Sequence, residues 1–352
     1  MGKFKVVVFP CDYEVLDIER EVLEPIGAEV VRVDSWDEKD LIEAAKEADA
    51  VLVQYTRIDE KILSKLERCK VMVRYGTGYD NFDLEAMTRH GIYAAYVPDY
   101  CVEEVSSHAL ALLLALGRRI VRYNDAVRAG VWSSHKERPI YRMRDQILGI
   151  VGLGRIGRAL CLKAKPIFGQ IVACDPYIPR SVFDEYGVRK VELDELLSIS
   201  DAISLHVPLI RKPTGIYRST YHLIGEREIK LMKPNAYIVN TARGPVIDDA
   251  ALSRALREGR IAGAALDVLE EEPVTEDGSS VSERFKDLLE SGKLIITPHS
   301  AYLSERSLRD VRRMAAEEVV RVLMGGTPKA WLNPQISLEC ATLGDNMNEP
   351  IT

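Results

Sequence analysis

The stretch Gln146–Leu160, QILGIVGLGRIGRAL, decides the fold. It opens as an apolar strand-like run and closes with helical spacing. Between the halves stand Gly152, Gly154 and Gly157, in the order Gly-x-Gly-x-x-Gly. This spacing lets the chain turn tightly at Gly152, bring an anion close at Gly154, and seat helix on strand at Gly157. The amides of Arg155 and Ile156 would face that anion from the positive end of the helix. The next apolar run, QIVACD, ends at Asp175. That is about twenty residues on, where a carboxylate can hold an adenosine ribose. The charge on Asp175 would repel a 2′-phosphate, so NAD is favoured over NADP; Arg180, close by, pulls the other way.

Outward from this stretch, short β-rich runs alternate with helical patterns. FKVVVF, AEVVRV, AVLVQY, VMVRYG and IYAAYV read as strands in the first hundred residues. QILGIVG, QIVACD, DAISLHV, AYIVNTA, IAGAALDV and KLIITPH form a second series. Between them EVLDIEREVLEPIG, DEKDLIEAAKEA, DEKILSKLERC and DDAALSRALREGR carry helical spacing and acidic starts. Strands this apolar, alternating with helices, imply parallel sheets covered on both faces, and there are two such series. The expected fold is α/β, with two doubly wound parallel-sheet domains. Residues 104–302 would form a Rossmann-type domain inserted into a flavodoxin-like domain of residues 1–103 and 303–335, with 336–352 as a tail. A long helix from Glu103 to Arg128 would carry the chain across, and the helix after His299 would return it.

Composition excludes several classes. A net charge of −7 gives no broad positive field for nucleic acid or an anionic membrane. The longest apolar run, ALALLLALG at 109–117, is too short to span a bilayer. The start, MGKFKVVVFP, enters a strand at once, leaving no room for a secretory leader, and it lacks the Ser/Thr of a myristoylation signal. Cysteines at 11, 69, 101, 161, 174 and 340 form no Cys-x-x-Cys pair, and several lie in apolar runs. They read as inert thiols in a reduced cytoplasm, and no metal site is expected.

Three more strand ends carry polar residues. Arg243 follows YIVN, Asp267 and Glu272 follow IAGA, and His299 follows LIIT. Ligands of open α/β sheets bind outside the carboxyl ends of strands, so an arginine, an acid and a histidine can converge there beside the dinucleotide.

With these motifs, GLGRIG, HVP, MKPNAYIVNTARGPVID, ALDVLEEEP and TPH, the chain resembles the D-specific 2-hydroxyacid dehydrogenases over about residues 1–333. VRYGTGYDNFDLEA, VPDYCVEEV and TPHSAYLSERS look most like the branch of the C-terminal binding proteins, which carries an aromatic where Tyr302 stands. The resemblance implies an NAD-dependent oxidoreductase acting on a small 2-oxo or 2-hydroxy acid. His299 would be the general acid/base, Glu272 its partner, and Arg243 the holder of the substrate carboxylate and carbonyl. Asp267 would fix the nicotinamide carboxamide. His206, Val207 and Pro208 would line the adenosine side, with Thr241 in the same cofactor set. In the first domain the amides of Tyr75, Gly76, Thr77 and Gly78 would form a small anion nest, helped by Arg74. Tyr302 would offer a flat wall to the substrate side chain. A homodimer through the cofactor domains is implied, centred on helix 108–117 unless that helix is simply core.

Two departures stand out. The segment IRKPTGIYRSTYHLIG, after HVPL, is longer than the family usually has there. No regulatory domain follows residue 333, which argues against the long phosphoglycerate dehydrogenases. Two rival readings keep the fold but change the function: an NAD-sensing corepressor-like scaffold, or a phosphite- or formate-type oxidiser.

Overall fold

The computed structural model describes residues 3–213, 216–272 and 278–336. The chain divides into two compact units, Met1–Tyr100 with Ser304–Thr352, and Cys101–Leu303. The expected tail beyond Ile336, and Cys340 with it, lie outside the described residues.

The first unit is built on five strands: β1 (Phe4–Val8), β2 (Ala28–Arg32), β3 (Ala50–Val53), β4 (Val71–Arg74) and β5 (Tyr93–Tyr96). Their order is β2-β1-β3-β4-β5 and every pairing is parallel. This is the flavodoxin-like order, with its switch point between β1 and β3. Val6, Val7, Val8 and Val51, Leu52, Val53 are all fully buried, because helices cover both faces and leave no solvent side for alternation. The helix Glu305–Leu323 lays Val311, Ala315 and Val319 on one face. Asp59 caps the helix that opens DEKILSKLERC, but it runs only from Glu60 to Leu63, shorter than its pattern implies.

The second unit holds β6 (Ile147–Val151), β7 (Gln170–Cys174), β8 (Arg189–Lys190), β9 (Ala202–Leu205), β10 (Tyr237–Asn240), β11 (Gly263–Leu266) and β12 (Leu294–Ile296). The order is β12-β11-β10-β9-β6-β7-β8, all parallel. This is the Rossmann order with one added edge strand, and the switch point lies between β6 and β9. Strand β8, two polar residues long, has no pattern from which it could be read.

One expectation is corrected here. The helix expected from Glu103 to Arg128 is two helices, Val102–Gly117 and Ile120–Arg128. Glycine is a poor helix former, and the break follows Gly117 directly. Arg119 takes a left-handed φ of 57° and reaches the carbonyl of Ala262 at 3.4 Å. The apolar run 109–117 is core: Ala109, Leu112, Leu113 and Leu116 pack with Leu148, Ile150 and Phe168 inside their own unit. The next helix, Ile120–Arg128, buries none of its residues, and Trp132 beyond it is 91% exposed.

Burial pushes the thiols of Cys11 and Cys161 up, that of Cys69 to about 12 and that of Cys174 to about 11, so all four stay protonated at neutral pH. Among the described residues no group of His, Cys, Asp and Glu is arranged to hold a metal ion. No helix of the described residues is long and apolar enough to cross a membrane.

Candidate active site

At the end of β6 the glycine loop has the geometry its spacing demands. Gly152 sits at φ 94°, and a Cβ there would lie 2.6 Å from the His206 carbonyl oxygen. A Cβ on Gly157 would overlap the Gly152 carbonyl at 2.1 Å, so the helix Arg155–Ala164 can seat only without one. Ahead of Gly154 the space is open. The amides of Arg155 and Ile156 lie in the first turn, before the first intrahelical bond, Arg158 N–H to Gly154 at 3.0 Å. An open approach, a positive helix end and close packing behind it fit a pyrophosphate.

Asp175 closes this end. Its carboxylate accepts the Leu153 amide at 2.9 Å and the Tyr177 amide at 3.0 Å. The acid is thus held against the glycine loop with lone pairs left for a ribose hydroxyl. Arg180 instead leans on Asp184 one helical turn on, at 3.9 Å, with its side chain 77% exposed. His206 stands 2.9 Å from the buried Ser204 hydroxyl, and burial drives its ring down to about 4, so it is neutral. Val207 is half-buried and Pro208 exposed beside it. The hydroxyl of Thr241 is buried without a hydrogen-bond partner among the described residues.

The reactive end is built from β10, β11 and β12. The buried Asn240 bonds its own turn twice: its Nδ2 donates to the Arg243 carbonyl at 2.9 Å, and its Oδ1 accepts the Ala242 amide at 3.0 Å. That clamp presents Arg243, which is half-buried. His299 lies in a left-handed backbone, φ 49°, which is uncommon outside glycine and marks strain held by its surroundings. Its Nδ1 is 2.9 Å from Glu272 Oε2, while Glu272 Oε1 takes the Leu269 amide at 3.3 Å. Burial pushes the Glu272 carboxyl up, but the His299 ring, the Leu269 amide and the Arg243 charge outweigh it and leave it below its ordinary value. An ionised Glu272 makes Nδ1 the donor. The Tyr302 ring stands edge-on to the His299 ring, with centroids 6.2 Å apart.

Asp267 is 2% exposed. Its carboxylate accepts the Thr297 hydroxyl at 2.6 Å and the amides of Ser300 and Ala301 at 2.9 Å each. The structure thus gives it a task the sequence did not suggest, holding the loop that carries His299. His108 Nε2 completes the group, 3.1 Å from the Thr297 hydroxyl. Asn240, Thr297 and His108 were missed in the sequence, since each reads as the polar end of an apolar run.

In the other unit the expected nest is smaller. Tyr75 is corrected to a core residue: it is 3% exposed, its hydroxyl donates to buried Glu19 at 2.9 Å, and its amide bonds Val53 at 2.8 Å. The Gly76 amide is also engaged, with the Arg74 carbonyl at 2.9 Å. Thr77 and Gly78 are both half-buried. Arg74 folds its guanidinium onto the Tyr75 carbonyl.

The chain is similar to proteins already known. Residues 110–301 match the family model described as D-isomer specific 2-hydroxyacid dehydrogenase, NAD binding domain. A glyoxylate reductase of Thermococcus litoralis is 36% identical over 303 residues, covering 84% of this chain and 87% of that protein. A D-3-phosphoglycerate dehydrogenase of Methanocaldococcus jannaschii is 37% identical over 322 residues, 91% of this chain but 58% of that protein. Among solved structures, D-lactate dehydrogenase of Aquifex aeolicus, complexed with NAD and lactic acid, superposes with a TM-score of 0.76 at 30% identity, covering 91% of this chain and 96% of that one. With its Gly152–Gly157 loop lying inside the matched NAD-binding region, this chain belongs to the D-isomer-specific 2-hydroxyacid dehydrogenase family.

Proposed function

We propose that this chain interconverts a small 2-oxo acid and the D-2-hydroxy acid, with NAD rather than NADP as cofactor. The observation that carries this reading is the His299–Glu272 pair, 2.9 Å apart at a strand end of the cofactor domain. The dinucleotide, when bound, supplies or takes the hydride at the substrate C2. In reduction, His299 Nε2 gives its proton to the carbonyl oxygen, which becomes the hydroxyl; in oxidation the same nitrogen takes it back. Glu272 stabilises the protonated ring and fixes its tautomer. Arg243 holds the carboxylate and polarises the carbonyl, a task suited to a planar two-donor fork. Gly152, Gly154, Arg155, Ile156 and Gly157 would hold the pyrophosphate, Asp175 the ribose, His206, Val207 and Pro208 the adenosine side, and Thr241 and Asp267 the nicotinamide half. Arg74, Thr77, Gly78 and Tyr302 are assigned to the substrate.

A formate-type oxidiser has no use for a proton donor, so the paired imidazole argues against it. The C-terminal binding protein branch rests on Tyr302 and its neighbouring motifs alone. The relatives described above carry reductase and dehydrogenase names, and turnover is favoured over a corepressor scaffold. A homodimer is proposed through the exposed apolar side chains of the helix Ile120–Arg128 and of Trp132. The test is a panel with NADH and NADPH: glyoxylate, hydroxypyruvate, pyruvate, branched and thioether 2-oxo acids, and phosphite with NAD. Absence of 2-oxo acid reduction across the panel refutes the reading.

A further inference from the structure

The excursion after HVPL has no task in the chemistry above. Its base is tightly closed: Ile210 N–H donates to the Thr220 hydroxyl oxygen at 2.8 Å, and Thr220 N–H returns to the Ile210 carbonyl at 2.8 Å. The Thr220 hydroxyl in turn donates to the Pro208 carbonyl at 2.6 Å, so the base is tied to the end of β9. Its far side is tied elsewhere. Arg218 N–H donates to the Tyr177 hydroxyl at 2.7 Å, and the rings of Tyr177 and Tyr217 meet with centroids 4.8 Å apart. Tyr177 belongs to the end of β7, where its amide holds Asp175.

Strands β9 and β7 are the two neighbours of β6. A segment anchored at the ends of both therefore bridges the strand between them, the one that carries the glycine loop. Tyr177 and Tyr217 remain 37% and 48% exposed. The Tyr177 amide bonds the carboxylate assigned to the adenosine ribose, at 3.0 Å.

Resting on the NAD reading above, we propose that this excursion is the outer wall of the adenosine subsite and that Tyr217, backed by Tyr177, is the ring on which the adenine stacks. The two rings are tilted by 59°, so a purine would stack on the face of one of them, Tyr217, and stacking needs no hydrogen-bond match to the base. Asp175 would thus fix the ribose while the tethered Tyr217 ring fixes the base. The extra residues make the adenosine half a larger share of cofactor affinity.

Titrations of NADH, AMP and reduced nicotinamide mononucleotide, which lacks the adenine, test this. In Tyr217→Ala the ratio of NADH affinity to mononucleotide affinity should fall roughly ten-fold, and AMP should weaken in step. Tyr217→Phe, which keeps the ring, should restore both. An unchanged ratio in Tyr217→Ala, or a Phe variant no better than Ala, overturns the proposal. If the wild-type chain binds no NADH, the cofactor reading fails and takes this one with it. If the wild type binds and the variants match it, only the adenine wall fails.

Discussion

The backbone N–H of His299 donates to the Asp267 carbonyl at 2.8 Å, while the Asp267 carboxylate takes the next two amides, those of Ser300 and Ala301. One buried residue therefore grips the loop on both sides of its left-handed point. Asp267→Ala would strand the Thr297 hydroxyl and two amides. Each buried unsatisfied group costs about 1–3 kcal/mol, and partial relaxation should leave a loss on the order of 2–4 kcal/mol. The expected result is a lower melting midpoint together with a fall in turnover. A variant that melts with wild type would show that the loop needs no such grip.

Glu272 lies below its ordinary value, so it is ionised at neutral pH beside His299. Glu272→Gln removes the charge that favours the protonated ring. Reduction needs that proton, so its activity should disappear at a lower pH than in wild type. Oxidation needs the neutral ring, so its activity should extend to lower pH. Profiles of both directions that superpose on wild type would mean Glu272 is not the partner. His299→Ala should cost on the order of a hundred- to ten-thousand-fold in turnover while NADH still binds.

Asp175 bears on cofactor choice in two ways, by its charge and by its bonds to the Leu153 and Tyr177 amides. Asp175→Ser should narrow the NADH-over-NADPH preference by removing the repulsion. It should also weaken NADH itself, because the turn loses a double acceptor. Wild-type efficiencies equal for both cofactors would refute the assignment.

A fourth prediction concerns stability. Burial drives the Asp249 carboxyl from its ordinary 3.8 up to about 6, with the Glu270 amide and Arg284 offsetting only part. A raised folded value means the ionised form is disfavoured by folding, so the cost is present above about pH 6. It disappears as pH falls toward 4. Asp249→Asn should therefore be the more stable protein at pH 8, by on the order of 1–3 kcal/mol. The gap should close on acidification. Denaturant midpoints at pH 8, 6 and 4 decide it, and a gap that does not change with pH would assign the effect to packing.

The sequence carried the backbone frame well because its signals are local. Each run read as a strand became a parallel strand, and Gly152 and Gly157 met the close approaches their spacing required. The misses share one cause, which is that contacts between distant segments leave no local trace. Gly117 ends a helix whose periodicity continues past it. Tyr75 looks like part of an anion nest until Glu19 and Val53 are seen to hold it. His108 and Thr297 are 189 positions apart in sequence, and only the fold brings their side chains to 3.1 Å.

Tyr302 carries the remaining question, that of the substrate side chain. Its ring stands edge-on to the His299 imidazole, 6.2 Å between centroids, in the turn that Asp267 holds. An aromatic beside the proton donor can touch whatever extends from C2, and glyoxylate has nothing there to touch. Tyr302 should thus favour 2-oxo acids with an apolar or thioether chain. Removing the contact is expected to cost about 1–3 kcal/mol toward those substrates, or roughly ten- to two-hundred-fold in kcat/KM. In Tyr302→Ala, glyoxylate reduction and the melting midpoint should change little. An equal loss for all substrates, or an earlier melt without any change in the substrate order, would make Tyr302 a packing residue.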